Sequence, residues 1–162
     1  VIMLVEKMFD DGVPRCLLGR QASWPEGVYS TLAGFVDPGE TLEAAVIREV
    51  AEETAIIAES PKYIASQPWP FPASIMLGFV AQACSKDIDT RQDSLENAQW
   101  FSREQIANFD VYQAVINTEG EQINPIDDQK TELPLSQFKM SSSDSISSYL
   151  ITAWLNKEIG NY

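Results

Sequence analysis

Histidine is absent from this chain of 162 residues. That absence removes Ser-His-Asp triads, Cys-His dyads, histidine-ligated zinc and imidazole acid–base chemistry. Any proton transfer falls to carboxylates, lysine, tyrosine or cysteine. Cysteine is scarce as well: Cys16 and Cys84 stand far apart, in no Cys-x-x-Cys pair. They read as two reduced thiols in an intracellular protein rather than as a disulfide framework. Basic residues are few, 11 against 24 acidic ones, for a net charge of −13. A polyanion cannot be held by a general electrostatic footprint on such a surface. Contact with nucleotides would need a local device, and a bound divalent cation is the obvious one. No apolar run reaches the roughly 18–20 residues of a membrane span. The longest, Ile75 to Ala83, is interrupted by Gln82, so no membrane association is expected. The chain opens on Val1-Ile2-Met3-Leu4, with no initiator methionine or basic leader; this reads as a strand inside a longer protein.

What is present is a globular composition, 44% hydrophobic and 22% charged. A chain of this length buries roughly 70% of its unfolded surface, enough for one domain with a proper core. Val1 to Met8 and Arg15 to Arg20 are β-rich runs around Asp10-Asp11-Gly12, which predicts a hairpin. Val28 to Val36 reads as a third strand. Thr41 suits an N-cap before a helix over Leu42 to Thr54, with Glu43 in its first turn. A short strand is expected near Lys62 to Ser66. Prolines 68, 70 and 72 make Gln67 to Ser74 a rigid extended loop. Ser74 to Cys84 and Ala98 to Ser102 read as strands, and Arg103 to Phe109 as a short helix. Residues 110–140 read as an irregular insertion. A terminal amphipathic helix follows, with Asp144 as its cap and Ile146, Leu150, Ile151, Trp154 and Leu155 at helical spacing. Helices and strands mix without strict alternation, so the fold class is α+β, with a mixed sheet between helices.

The helix over Leu42 to Thr54 carries the chemistry. At about 100° per residue, Val46, Ile47, Val50 and Ala51 fill one broad arc, the expected core side. Glu49, Glu52 and Glu53 stand at i, i+3 and i+4 across its edge, so three carboxylates project from adjacent turns. A solvated acidic face is one reading. The other is a hard-cation site with oxygen-only ligands, Mg²⁺ or Mn²⁺. The acidic arc borders the apolar one, and the helix is entered from a Gly34-to-Gly39 turn where backbone can approach a ligand closely. Both favour the second.

The segment Gly34-Phe-Val-Asp-Pro-Gly-Glu40, Arg48-Glu49, Glu52-Glu53, Ala55-Ile56 resembles the Nudix box, G-x5-E-x7-R-E-U-x-E-E-x-G-U, with Ala55 in place of the last glycine. Ser66-Gln67-Pro68-Trp69-Pro70-Phe71-Pro72-Ala73-Ser74 resembles the S-Q-P-W-P-F-P-x-S signature of NADH pyrophosphatases, a family that includes hydrolases of NAD-capped RNA. Tyr29 to Phe35 and Ala98-Gln99-Trp100-Phe101 are similar to it too. The resemblance implies one Nudix domain over residues 1–162. It implies metal-dependent hydrolysis of the pyrophosphate bond of NAD(H) to nicotinamide mononucleotide and AMP, with NAD-capped RNA ends as further partners, and it admits a homodimer. Glu49, Glu52 and Glu53 would hold Mg²⁺ or Mn²⁺. Glu52 or Glu49 would take a proton from the attacking water, and Arg48 would orient a box carboxylate. Phe35 and Trp69 would stack on the dinucleotide, and Gln67, Phe71 and Ser74 would line the pocket. The backbone carbonyl of Ala33 would complete a metal shell, and Glu40 would bind through water or hold its loop.

Three departures from that family stand out. Its zinc ribbon of four cysteines is not in this chain. A metal-ligand Glu expected six residues before Trp100 is Ser94, with Asp93 and Glu96 as the stand-ins. Ala55 takes a helix-terminal position whose left-handed backbone costs a residue other than glycine about 1 kcal/mol. A Nudix hydrolase of another nucleoside diphosphate derivative, such as an ADP-sugar or dinucleoside polyphosphate, and a catalytically impaired nucleotide-binding homologue therefore remain alternatives.

Overall fold

The computed structural model describes residues 1–70, 72–91, 95–111, 115–116, 122–123 and 138–162. The elements run β1 (Ile2–Met8), β2 (Pro14–Gln21), β3 (Val28–Tyr29), β4 (Leu32–Ala33), α1 (Leu42–Thr54), β5 (Ala58–Trp69), β6 (Ser74–Ala83) and β7 (Leu95–Ser102). Then come α2 (Arg103–Ala107), β8 (Asp110–Val111), β9 (Val115–Ile116), β10 (Gln122–Ile123), β11 (Lys139–Met140) and α3 (Ile146–Leu155).

The main sheet is mixed, in the order β5-β6-β1-β2-β7, with β4 also on β1. The β1–β2 hairpin is antiparallel, and β1 pairs with β6 in parallel, Leu4 opposite Val80. Alternation along β1 sends Met3 and Val5 to one face and Ile2 and Leu4 to the other. The first face packs against Val46 and Val50 of α1; the second packs against Leu150, Ile151 and Trp154 of α3. The expectation of a mixed sheet between helices is thereby met.

Three expectations change. The strand over Val28 to Val36 is two short pieces. The chain leaves β11, where Tyr29 lies opposite Met140, passes an isolated bridge between Ser30 and Gly19, and joins β1, where Leu32 pairs with Met3. Of the expected proline loop, Gln67 to Trp69 is the end of a 12-residue strand, while Pro70, Pro72 and Ala73 form the turn into β6; β5 is the sheet edge, and an edge strand tolerates prolines such as Pro61 and Pro68. The cap of α3 is Ser145, whose hydroxyl accepts from Ser148 N; Asp144 lies one residue further out. Most of 110–140 lies outside the described residues. No helix among the described residues is long and apolar enough to cross a membrane.

Candidate active site

Helix α1 starts and ends where its cap residues say it should. Thr41 accepts from Ala44 N, and Ala55 terminates the helix at φ 59°, its N–H donating to Ala51 O. The left-handed position is occupied by alanine, at the cost expected of a residue with a Cβ. The buried arc is rotated from expectation: it comprises Ala45, Val46, Val50, Glu53 and Thr54, while Ile47 and Ala51 face outward. Thr54 tolerates its place in the buried arc because its hydroxyl donates to Val50 O of the same helix at 2.7 Å. The consequence is that the three carboxylates are unequal. Glu53 is buried at 7% exposure, the Glu49 side chain is 14% exposed and that of Glu52 is 58% exposed.

Arg48 sits at the centre of this cluster. Its Nε and Nη2 donate to the two oxygens of Glu40 at 2.9 and 2.8 Å, a bidentate pair. Its Nη1 donates to Glu49 at 2.8 Å and Glu52 at 3.1 Å, and Nη2 also reaches the carbonyl of Phe35 at 2.9 Å. One guanidinium thus ties the turn before the helix to the helix itself. Glu40 is a loop-holding residue here. The Arg48 bonds, helped by the Asp37 N–H, hold its carboxyl down at about 2. A depressed carboxyl stabilises the fold above its unfolded pKa, so this contribution is full at neutral pH and is lost as pH falls from the ordinary carboxylate range through about 2.

Gly34 makes the cluster possible by close approach. A Cβ on it would overlap the Glu49 carboxyl group. If Glu49 takes part in chemistry, Gly34→Ala is expected to push it aside and lower kcat by up to ~10², the scale of a misplacement of about 1 Å, with the far-ultraviolet circular dichroism unchanged. Wild-type kcat in this variant would show that Glu49 has no need of its place.

A cavity of about 470 Å³ opens beside the cluster. Glu53 and Ala33 lie on one side of it. Trp69 of β5 and Met76 of β6, which pair across the hairpin with Ser74 and Gln67 respectively, form another wall. A third wall is Ser141, Ser142 and the first residues of α3. Trp24 and Pro25 line the cavity too, on a loop whose carbonyls accept from Arg20. At its base the Ser147 hydroxyl bonds Ser30 Oγ at 2.8 Å and Thr31 N and Oγ1 at 3.0 Å.

The site therefore brings together Glu53, Ala33 and Trp69 in one cavity; Arg48, Glu49 and Glu52 are not among its lining and are tied to one another on the same helix. It does not bring in Phe35, which is 82% exposed and outside the cavity lining. Gln67 and Ser74 are outside it as well. Phe71, Asp93 and Ser94 lie outside the described residues. Glu96, a stand-in for the missing carboxylate, forms an ion pair with Arg20. Sequence reasoning misses Trp24 and the serine wall. The run Ser141-Ser142-Ser143 is the available signal, and it reads equally well as a helix start.

An all-oxygen set on one helix suits a hard cation. Among the described residues, no three acidic side chains are grouped closely enough to hold one as they stand. Arg48 shares two of them.

The sequence pattern of the NUDIX domain family matches residues 3–119. The human NAD-capped RNA hydrolase NUDT12 is 45% identical over 105 residues, 65% of this chain and 22% of the relative. The NAD-capped RNA hydrolase NudC of Pseudomonas aeruginosa is 52% identical over 86 residues, 53% of this chain and 31% of the relative. The chain thus spans less than a third of the length of either. Among solved structures, the NUDIX domain of Shewanella oneidensis NrtR, complexed with ADP ribose, superposes with a TM-score of 0.55 at 18% identity. That match covers 65% of this chain and 73% of that one. At such identity the likeness is one of fold.

Proposed function

The chain belongs to the Nudix family, and from that membership we propose that it hydrolyses the pyrophosphate bond of an NAD(H)-type dinucleotide to nicotinamide mononucleotide and AMP. One observation carries this reading: a buried box carboxylate, Glu53, and a ring on a stiff proline-flanked hairpin, Trp69, line the same cavity. The first suits the phosphate bridge with its cation, the second a planar base or nicotinamide. Prior fixing of Trp69 lowers the entropic cost of stacking.

Glu53, with Glu49 and Glu52, would hold a divalent cation, Mg²⁺ or Mn²⁺: the oxygen donors suit such an ion, and Glu49 and Glu52 would have to turn from Arg48 for all three to converge on it. When bound, such an ion neutralises phosphate charge and lowers the pKa of a coordinated water. The chain's own groups do the rest. Glu52 or Glu49 accepts the proton of the attacking water. Arg48, by its bonds to both, fixes which carboxylate oxygens face the bridge. The bidentate Arg48–Glu40 pair keeps the turn at Gly34 pressed against Glu49. Trp69, Met76 and the serine wall exclude water around the ring.

The same bond at the 5′ end of NAD-capped RNA is a second substrate, favoured by the names of the relatives at 45–52% identity. With a net charge of −13, contacts would stay within the cap. A reduced, nucleotide-handling protein of this kind is placed inside the cell.

The test is purified protein with NADH and either Mg²⁺ or Mn²⁺, the products identified by mass, with and without chelator. Nicotinamide mononucleotide and AMP in equal amounts, abolished by chelator, are expected. Turnover of ADP-sugars or dinucleoside polyphosphates with none of NADH would overturn the substrate, and no turnover of any would point to the impaired homologue. Trp69→Ala is expected to raise KM for NADH about tenfold, the range for one lost base stack, and to erode discrimination against simple nucleotides. Unfolding of this variant would instead make Trp69 a core residue.

A further inference from the structure

Gln67 lies on β5 two residues before Trp69, so both side chains share one face of the strand. Its amide does not line the main cavity. It sits in a separate groove of about 300 Å³ on the far side of the α3 turn, beside Asp144 and Tyr149. There its Nε2 donates to Asp144 O at 2.8 Å, and its Oε1 accepts from Ile146 N at 2.8 Å. Ile146 is the first residue of α3, and its N–H is one of the donors a helix leaves without an internal partner. Ser145 serves the N–H of Ser148, two residues on. Side chain and cap together close this helix end.

These two bonds join two cavity walls. On one side of the amide is the hairpin carrying Trp69 and Met76; on the other is the turn carrying Ser142, Ser145 and Ser147. Ser147 is joined in turn to Ser30 and Thr31 at the cavity base. The stacking ring and the serine wall are thus held at a set separation by one primary amide, which uses both its donor and its acceptor.

We propose that Gln67 is a positioning residue for the cavity: its amide clamps the Trp69 hairpin to the N-terminal turn of α3 and so sets the affinity for the ringed end of the substrate, without touching it. This rests on the dinucleotide reading above. Releasing the clamp widens the slot and leaves Arg48 and the helix carboxylates untouched, so binding weakens while chemistry on bound substrate continues.

Three variants test it. Gln67→Met keeps the length and removes both bonds. Gln67→Ala removes the bonds and the bulk. Gln67→Glu keeps the acceptor for Ile146 N but turns a carboxylate oxygen on the Asp144 carbonyl. Substrate is NAD⁺, with Mg²⁺. Gln67→Met and Gln67→Ala are expected to raise KM about tenfold, roughly the worth of one or two neutral hydrogen bonds, with kcat within twofold. Gln67→Glu, ionised at the assay pH, keeps an acceptor for Ile146 N but has no donor for the Asp144 carbonyl, and should raise KM at least as much. A fall in kcat with KM unchanged, or KM unmoved in all three, overturns the proposal. A second readout is hydrogen exchange at the amides of 145–148, which should quicken in Gln67→Met without substrate. If wild type fails to turn over NAD⁺ or NADH, the substrate reading fails, and unaltered exchange in Gln67→Met would overturn the clamp by itself.

Discussion

Glu53→Gln is expected to lower kcat for NADH by at least ~10², with a thermal midpoint close to that of wild type. Glutamine has the volume of glutamate, so packing around this buried position is kept. What is lost is a charge on the wall of the cavity proposed to take the phosphate bridge. Glu53 lines the cavity, whereas Glu49 and Glu52 lean on the Arg48 guanidinium and are not among its lining. A hundredfold loss corresponds to about 2.7 kcal/mol of transition-state stabilisation, within the range for removing a metal ligand or a preorganised charge. The check is steady-state kinetics over a wide Mg²⁺ range, with circular dichroism melting in parallel. A displaced Mg²⁺ optimum together with the lower kcat supports a ligand role. Unchanged kcat with a large drop in melting temperature would make Glu53 a structural acid and remove it from the site.

The largest effect on stability is expected at Glu6, on the opposite end of α3 from the cavity. This fully buried carboxylate accepts from Gln82 Nε2 at 2.6 Å and Trp154 Nε1 at 2.7 Å, and from the backbone N–H of Asn161. Arg103 lies over the Trp154 ring at 3.9 Å and donates to its carbonyl, so a cation stands beside the same cluster. Gly160 leaves room for it, since a Cβ there would overlap the Glu6 carboxylate. Glu6→Ala strands several donors in the interior, each at about 1–3 kcal/mol, only part of which is recovered by relaxation. A net loss of about 3–5 kcal/mol is expected, the scale of breaking a buried charged network. For a chain of this size that is a fall of about 10 °C in melting temperature. Urea unfolding read by tryptophan fluorescence measures it; a loss below about 1 kcal/mol would show that water replaces the carboxylate freely.

Much of the fold and the site is legible in the amino-acid sequence. Helix α1 can be placed to the residue, because Thr41 supplies a capping hydroxyl and the apolar positions recur with helical period up to Thr54. The box carboxylates and Trp69 are legible from motif spacing. Which carboxylate is buried is not. It depends on a rotation of the helix that buries Thr54, and threonine at a helix end reads as polar rather than as core. β5 reads short because proline signals a strand break; only its place at the sheet edge, a tertiary fact, permits Pro61 and Pro68. Glu6 carries no signal, since a carboxylate on a strand ordinarily marks the solvent side. Gln67 is assigned to the pocket by motif, but its amide lies outside the main cavity, and its bonds to Asp144 and Ile146 become visible only with α3 docked.

The hydroxyl junction at the cavity base has a consequence for how the protein is made. Ser30 and Ser147 are 117 positions apart in sequence, and β1 waits for β6 to supply its parallel neighbour. Contacts this distant close slowly, because the loop entropy is lost before the contact contributes. The β1–β2 hairpin and α1 are local and can form early; the slot for the ring exists only once α3 has settled against the far side of the sheet. Ligand binding is thus the last property to be acquired during synthesis or refolding. A chain with native-like helix content and no affinity for nucleotide is the expected immature form.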